Sequence, residues 1–274
     1  MKRILRNKQA VAGLVIIFIV SLTAIIAPYI VPNDPYTQNI YNRYEAPQGF
    51  GGEYILGTDN LGRCVLSRII MGTRASLYVG VVAVSISLVI GVILGLLAGY
   101  VGGKIDELIM RFMDLILAFP AILLAIFIVA VLGPSLFNAM LAIAIVRIPQ
   151  LARVTRSQVL ALKEEDFVLA ARSLGASHVR ILVKHILINS FAPLLVIISL
   201  GMGLAIVTEA ALSFLGLGTQ PPTISWGRML ATARAALRTA PHVATYAGIA
   251  IVFTTLGFNL LGDGLRDVFD PRLK

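Results

Sequence analysis

Hydrophobic residues along this chain fall into long uncharged runs, not into alternating or heptad patterns. Residues 10–31 and 75–103 contain no Asp, Glu, Lys or Arg, and neither do residues 115–146. A helix needs about 20 apolar residues to cross the hydrocarbon core of a bilayer. The first two runs therefore predict one span each, at 10–31 and about 76–101. The third is too long for one helix, and Gly133-Pro134-Ser135 divides it. It predicts helices at about 110–132 and 136–154, with Pro149 near the end of the second. Runs at about 186–209 and 239–262 complete a set of six transmembrane helices, an all-α integral membrane protein.

Composition agrees. Of 274 residues, 58% are hydrophobic and 14% charged, whereas soluble domains carry about 25% charged residues. There is too little polar surface to cover such a body in water, and too much apolar surface for a disordered chain. The single cysteine, Cys64, excludes an internal disulfide framework and a cysteine-based metal site. The net charge of +9 fits the Lys/Arg excess of cytoplasmic loops. No aromatic-interleaved basic patch points to nucleic acid.

The distribution of Lys and Arg sets the orientation. With the N-terminus inside, 16 fall on the cytoplasmic side, among them Lys2, Arg3, Arg6, Lys163, Arg272 and Lys274, and 7 outside, from Arg43 to Arg238. Both termini are thus expected in the cytoplasm. Three connections stand out: an external loop of about 32–74, a charged cytoplasmic loop of about 155–185, and an external segment at 216–241 holding Pro221, Pro222 and Trp226.

Chemistry-bearing motifs are scarce. No phosphate-binding loop, H-E-x-x-H or G-x-S-x-G occurs, so no catalytic residue, metal site or cofactor is expected in this chain. His178 and His185 lie seven apart, but no carboxylate or Cys completes a ligand set. Glu209 near the outer end of span five, Arg147 near the inner end of span four and Asp114 near the inner end of span three are all expected close enough to an interface to stay hydrated. Only Glu209 suits the proton or ion relay of a secondary transporter or channel, the competing functional class.

Gly91, Gly95 and Gly99 recur at four-residue spacing. They put a smooth groove on one face of span two, for packing within the subunit or, less simply, for a dimer seam. Apolar residues at helical spacing in 61–74, with Arg63, Ser67 and Arg74 opposite, predict a helix lying at the outer surface. The same holds for 226–238, with Trp226, Met229, Leu230, Ala233 and Leu237 on one face and Arg228 elsewhere. Pro221, Pro222, Trp226 and Arg228 form either a lipid-surface ledge or an external gate and docking site.

The cytoplasmic loop is the most informative segment. Asp166 is placed to cap a short helix through Leu174, which Gly175 ends in the left-handed conformation. Ser177 caps the next helix. A helix–turn–helix results, with a small face at Ala170 and Ala171 suited to a groove on another protein. If Asp166 is the cap, a Glu at 169 would complete a capping box, which Leu169 cannot.

Residues 169–190, LAARSLGASHVRILVKHILINS, resemble the EAA loop of ABC importer permeases, the segment that docks on the ATPase subunit. LGTDNLGRCVLSRIIMGTRASL (56–77), SFLGLGTQPPTISWGRML (213–230) and FNLLGDGLRDVFDPRLK (258–274) are similar to the peptide branch of that family. ARAALRTAPHVA (233–244) leans towards its glutathione-type members. Leu169 stands where the loop motif has Glu, Ile188 where Pro is frequent, and Cys64 where Asp is usual. The resemblance implies the type 1 importer permease fold. Residues 1–73 would carry the first helix and external loop, 74–263 the permease domain and 264–274 a cytoplasmic tail. It also implies an ATPase-coupling role for Asp166, Leu169, Ala170, Ala171, Arg172, Gly175, Ala176 and Ser177. The implied partners are a second, homologous permease in a heterodimer, two ABC ATPases that use ATP and Mg, an external substrate-binding protein and membrane lipid. The implied location is a bacterial or archaeal inner membrane, and the cargo a dipeptide, oligopeptide or glutathione.

The orientation is testable by cysteine labelling of intact cells after Cys64→Ser, itself expected to leave function within a few-fold of the parent. A cysteine at Tyr41 should react with an impermeant reagent from outside, and one at Lys163 should not. Labelling at 163 from outside would overturn the topology.

Overall fold

The computed structural model describes residues 7–269. The positions Lys2, Arg3, Arg6, Arg272 and Lys274, which contribute to the charge asymmetry, lie outside the described residues, as does the end of the proposed 264–274 tail.

The first helix, α1 (Lys8–Ile30), starts where the Asn7 side chain accepts a hydrogen bond from the Ala10 amide. It then runs through α2 (Val65–Val101), α3 (Gly103–Leu117), α4 (Ala121–Leu132) and α5 (Leu136–Leu162). The short α6 (Asp166–Ser173) and α7 (His178–Arg180) follow; α7 continues as a π-helical turn, Ile181–Leu187. α8 (Phe191–Phe214), α9 (Trp226–Ala233) and α10 (Pro241–Phe269) complete the chain. Among the described residues there is no β-strand, only an isolated bridge between Thr58 and Cys64.

Five helices, α1, α2, α5, α8 and α10, are long and apolar enough to cross a membrane, and α3 with α4 makes a sixth unit bent by 90°. The straight third span expected at 110–132 is therefore corrected. Pro120 has no amide hydrogen and disfavours helical geometry at Phe119, so the helix breaks and restarts at Ala121. The separate surface helix expected at 61–74 is also absent. Residues from Val65 onward are the first turns of α2, and Ser67, expected on the wet face, is buried, as is Arg68 beside it. Helix α5 continues to Leu162, so the connection expected at 155–185 is shorter. The fifth and sixth spans start and end later than expected, at Phe191–Phe214 and Pro241–Phe269.

The bundle is organised around α2, which packs on α5, α8 and α1, while α10 packs on α8 and α1. The α2–α5 contact is close because Gly91, Gly95 and Gly99 all face α5. An added Cβ would lie 2.6 Å from Leu151 Cβ at Gly91, 2.5 Å from the Ala152 carbonyl at Gly95, and 2.7 Å from Val159 Cβ at Gly99. The glycine stripe is thus used for packing within the subunit. The main core joins residues such as Val79, Ala83, Ile143, Ile206 and Met229 from α2, α5, α8 and α9.

Gly95→Ala should lower the melting temperature of the purified protein. It forces backbone to move in a filled seam, at a cost of about 1–3 kcal/mol. Gly248→Ala on α10, where a Cβ meets nothing within 4 Å, is the control and should leave it unchanged or slightly raised. Equal melting curves for the two variants would overturn the close-packing account.

Candidate functional site

The segment after α5 builds a compact protrusion. Helix α6 is closed by a paired turn: the Gly175 amide donates to the Arg172 carbonyl and the Ala176 amide to the Ala171 carbonyl, each at 3.0 Å. This geometry needs a left-handed residue, and Gly175 has φ +78°. The Ser177 hydroxyl then accepts from the Arg180 amide and starts α7. Both features agree with the sequence reading. The N-terminal cap does not. Glu165 occupies the cap position, Asp166 is the first helical residue, and no side chain caps the helix. The third helical residue is thus Val168, so a Glu at 169 would not complete a capping box, and Leu169 is no defect in one.

Val168 is buried with Val159, Ile181 and Ile186, and Leu96, Tyr100 and Leu162 pack around them. This small core fastens the protrusion to the ends of α2 and α5. Tyr100 Oη and His178 Nδ1 lie 2.7 Å apart, whereas His185 packs on Phe167; the two histidines have different neighbours. Ala170 and Arg172 are exposed, and Ala171 and Ala176 half-buried. The turn presents Leu174, 88% exposed, and α7 presents Val179, 70% exposed. Sequence reasoning missed Leu174. Its signal was an apolar residue immediately before the helix-ending glycine, where a solvated turn would carry a polar one.

At the opposite end, residues 32–64 are ordered around Asp59. Its Oδ1 accepts from the amides of Leu61 and Arg63, and its Oδ2 from Arg63 Nε at 2.8 Å. Arg68 Nε lies 3.2 Å from the same oxygen, and Arg68 Nη1 donates to the Pro35 carbonyl. His242 Nε2 sits 3.0 Å from the Thr58 carbonyl, tying the loop to α10. The run Asp59-Asn60-Leu61-Gly62 carries the signature of an Asx turn and could have disclosed this centre. Cys64 is buried beside it and free.

The expected surface stripe of α9 faces inward. Trp226 is 2% exposed and its Nε1 donates to the Ile69 carbonyl at 3.0 Å, so it is a core residue and not part of a lipid ledge. Pro221, Pro222 and Arg228 instead border an open cleft of about 480 Å³ with Arg63, Arg68 and Tyr36.

Glu209 is 0% exposed, which corrects the expectation of a hydrated position. Its Oε1 accepts from the hydroxyls of Ser213 (2.6 Å), Thr219 (2.8 Å) and Ser225 (3.2 Å), and Ser213 Oγ also accepts from the Thr219 amide. The carboxyl group fastens the 216–225 segment and the cap of α9 to α8. All three hydroxyls bind Oε1; the buried Oε2 has no hydrogen-bond partner among the described residues. Arg147 is also corrected: it is 7% exposed and lies deep in α5. Asp114 is exposed as expected and pairs with Arg153.

Comparison with known proteins fits this architecture. Residues 91–274, about two thirds of the chain, match the family model of binding-protein-dependent transport system inner membrane components, and residues 1–47 match that of the N-terminal transmembrane domain of oligopeptide transport permease C. A dipeptide transport system permease protein of Alkalihalophilus pseudofirmus is 48% identical over 100% of this chain and 89% of its own length. A glutathione transport system permease protein of Pectobacterium atrosepticum is 45% identical over 100% of this chain. Among solved structures, the inward-facing MetNI methionine ABC transporter has a chain similar in fold, with TM-score 0.59 and 18% identity over 75% of this chain and 98% of that one. With a family model spanning most of the bundle and full-length relatives near half identical, the chain belongs to the inner membrane components of binding-protein-dependent transport systems, the permease subunits of ABC importers.

Proposed function

We propose that this chain is one of two homologous permease subunits in an ATP-driven importer of small peptides, with dipeptides and glutathione as the cargo class. The names of its relatives support that class. A heterodimer with the second permease would enclose the path, and an external binding protein would deliver the peptide. Two ABC ATPases, which use ATP and Mg, would drive alternation between inward- and outward-open states. The chain would sit in the inner membrane of a bacterial or archaeal cell with both termini in the cytoplasm, and would itself catalyse nothing. The division into 1–73, 74–263 and 264–274 is proposed with both boundaries falling inside helices, since α2 starts at Val65 and α10 ends at Phe269.

The observation that carries the reading is the protrusion at 166–180. Its backbone is held rigid by the Gly175 turn and its base by the Val168 core, yet its tip exposes Leu174 and Val179. A stiff, apolar knob is suited to a groove on a partner, because burying it there removes apolar surface from water. Asp166, Leu169, Ala170, Ala171, Arg172, Ala176 and Ser177 form its flanks. An ion-coupled path through Glu209 has weaker support, since three hydroxyls tie its Oε1 to the 213–225 segment.

Leu174→Asp leaves the subunit's own packing untouched, because the side chain contacts solvent. Co-purification of the ATPases should nevertheless weaken about ten-fold or more, as for a central interface residue, and substrate-stimulated ATP hydrolysis in the reconstituted complex should fall with it. Gly175→Val forces a branched side chain into positive φ, costing about 1 kcal/mol or more, and should also uncouple hydrolysis from transport. Normal assembly and coupling in Leu174→Asp would exclude this segment as the docking site.

A further inference from the structure

Between Asp114 and Arg153 the sequence carries one charge, Arg147. It is the twelfth of the 27 residues of α5, and its guanidinium reaches Gly201, the eleventh of the 24 residues of α8. A side chain at 201 would occupy the place of the guanidinium, so the glycine is what admits it. Arg147 therefore sits near the middle of two membrane-spanning helices. It is 7% exposed, its Nε has no acceptor, and it makes no ion pair among the described residues. An unpaired cation at this depth is costly and marks a functional position.

Beside it lies a cavity of about 330 Å³, bounded by Ala121 and Ile122 of α4, Ile143 and Val146 of α5, and Leu204 and Thr208 of α8. Ala121 and Ile122 are the first residues of the 12-residue α4, which begins at the 90° break and has no side-chain cap. First-turn amides lack intrahelical acceptors and form the positive end of the helix dipole. A buried guanidinium and an uncapped helix start thus meet at one otherwise apolar cavity. Both stabilise negative charge, and broken helices in transporters recurrently aim such an end at an anionic group of the substrate.

We propose that Arg147 and the first turn of α4 form a transient site for the terminal carboxylate of the peptide as it crosses the membrane. The guanidinium fork matches a carboxylate in two parallel hydrogen bonds, and the aliphatic lining takes the adjoining side chain. The site favours a free acid over a peptide whose C-terminus is blocked as an amide. This inference rests on the peptide-import reading.

The test uses the whole complex with its binding protein, reconstituted in vesicles. Uptake of labelled dialanine is compared with that of dialanine amide for the unmutated chain, Arg147→Met and Arg147→Lys. Dialanine uptake should fall about ten-fold in Arg147→Met while amide uptake changes by less than about two-fold, the loss expected for one charged hydrogen-bonding partner. Arg147→Lys should restore part of the preference. The binding protein is the same throughout, so its own selectivity cancels. An acid-to-amide ratio unchanged by Arg147→Met overturns the proposal. So does failure of Arg147→Met to assemble when Arg147→Lys assembles, which would assign the charge to an acid on the second permease. If the unmutated complex takes up none of dialanine, its amide and glutathione, the import reading itself fails. Titration of the purified complex, without binding protein, with dialanine then decides the site: binding weakened about ten-fold in Arg147→Met supports it, and equal binding overturns it.

Discussion

The structure depends on how closely α2 and α5 approach. Lipid tails are as apolar as leucine, so two helices in a bilayer gain little from hiding hydrophobic surface and must gain from contact. Three glycines one turn apart let the α2 backbone lie against Leu151, Ala152 and Val159. Two other parts are built on this pair. Val159, Leu96 and Tyr100, at its end, supply the base under the protrusion at 166–180. Upstream on the same two helices, Arg68 joins the Asp59 centre and Arg147 reaches across to α8. A displaced seam would therefore disturb both ends of the bundle.

Charge does different work at the bent unit. Helix α3 carries Asp106 and Asp114, and α5 carries Arg156 and Arg153. Asp106 takes two hydrogen bonds from Arg156, at 2.5 and 2.6 Å, and this pair is mostly shielded, whereas Asp114 and Arg153 are half exposed. The shielded, two-pronged contact fixes the register of α3 on α5; the exposed one adds little in water. Together with the break at Pro120, they orient the start of α4.

What the sequence disclosed follows from which interactions are local. Uncharged runs located the helices because the bilayer imposes a length on each, and the turn at Gly175 and the cap at Ser177 were legible because both rest on neighbours in the chain. The break at Pro120 was not, since the run around it is uniformly apolar and charge counting is blind to a missing amide hydrogen. The surface helix at 61–74 misled because amphipathic spacing tells which residues share a face but not whether that face meets lipid or protein; here α9 and the 32–64 loop cover it. Glu209 looked hydrated because it lies near a helix end. The hydroxyls of Thr219 and Ser225, which bind its Oε1, arrive from 10 and 16 residues away, a distance no local pattern spans. Glu165 displaced Asp166 as cap by a single residue, the usual margin at a helix end.

The uninterrupted length of α2 has a mechanical consequence. Its 37 residues make a rod of about 55 Å at 1.5 Å per residue, with no proline and no break along it. One end is moored beside the Asp59 centre and the other touches His178 through Tyr100. Pivoted near its middle, such a rod converts a tilt of about 0.1 radian into opposite displacements of roughly 3 Å at its two tips. The same unbroken helix therefore joins the protrusion to the Asp59 centre through backbone alone, with no relay of side chains in between.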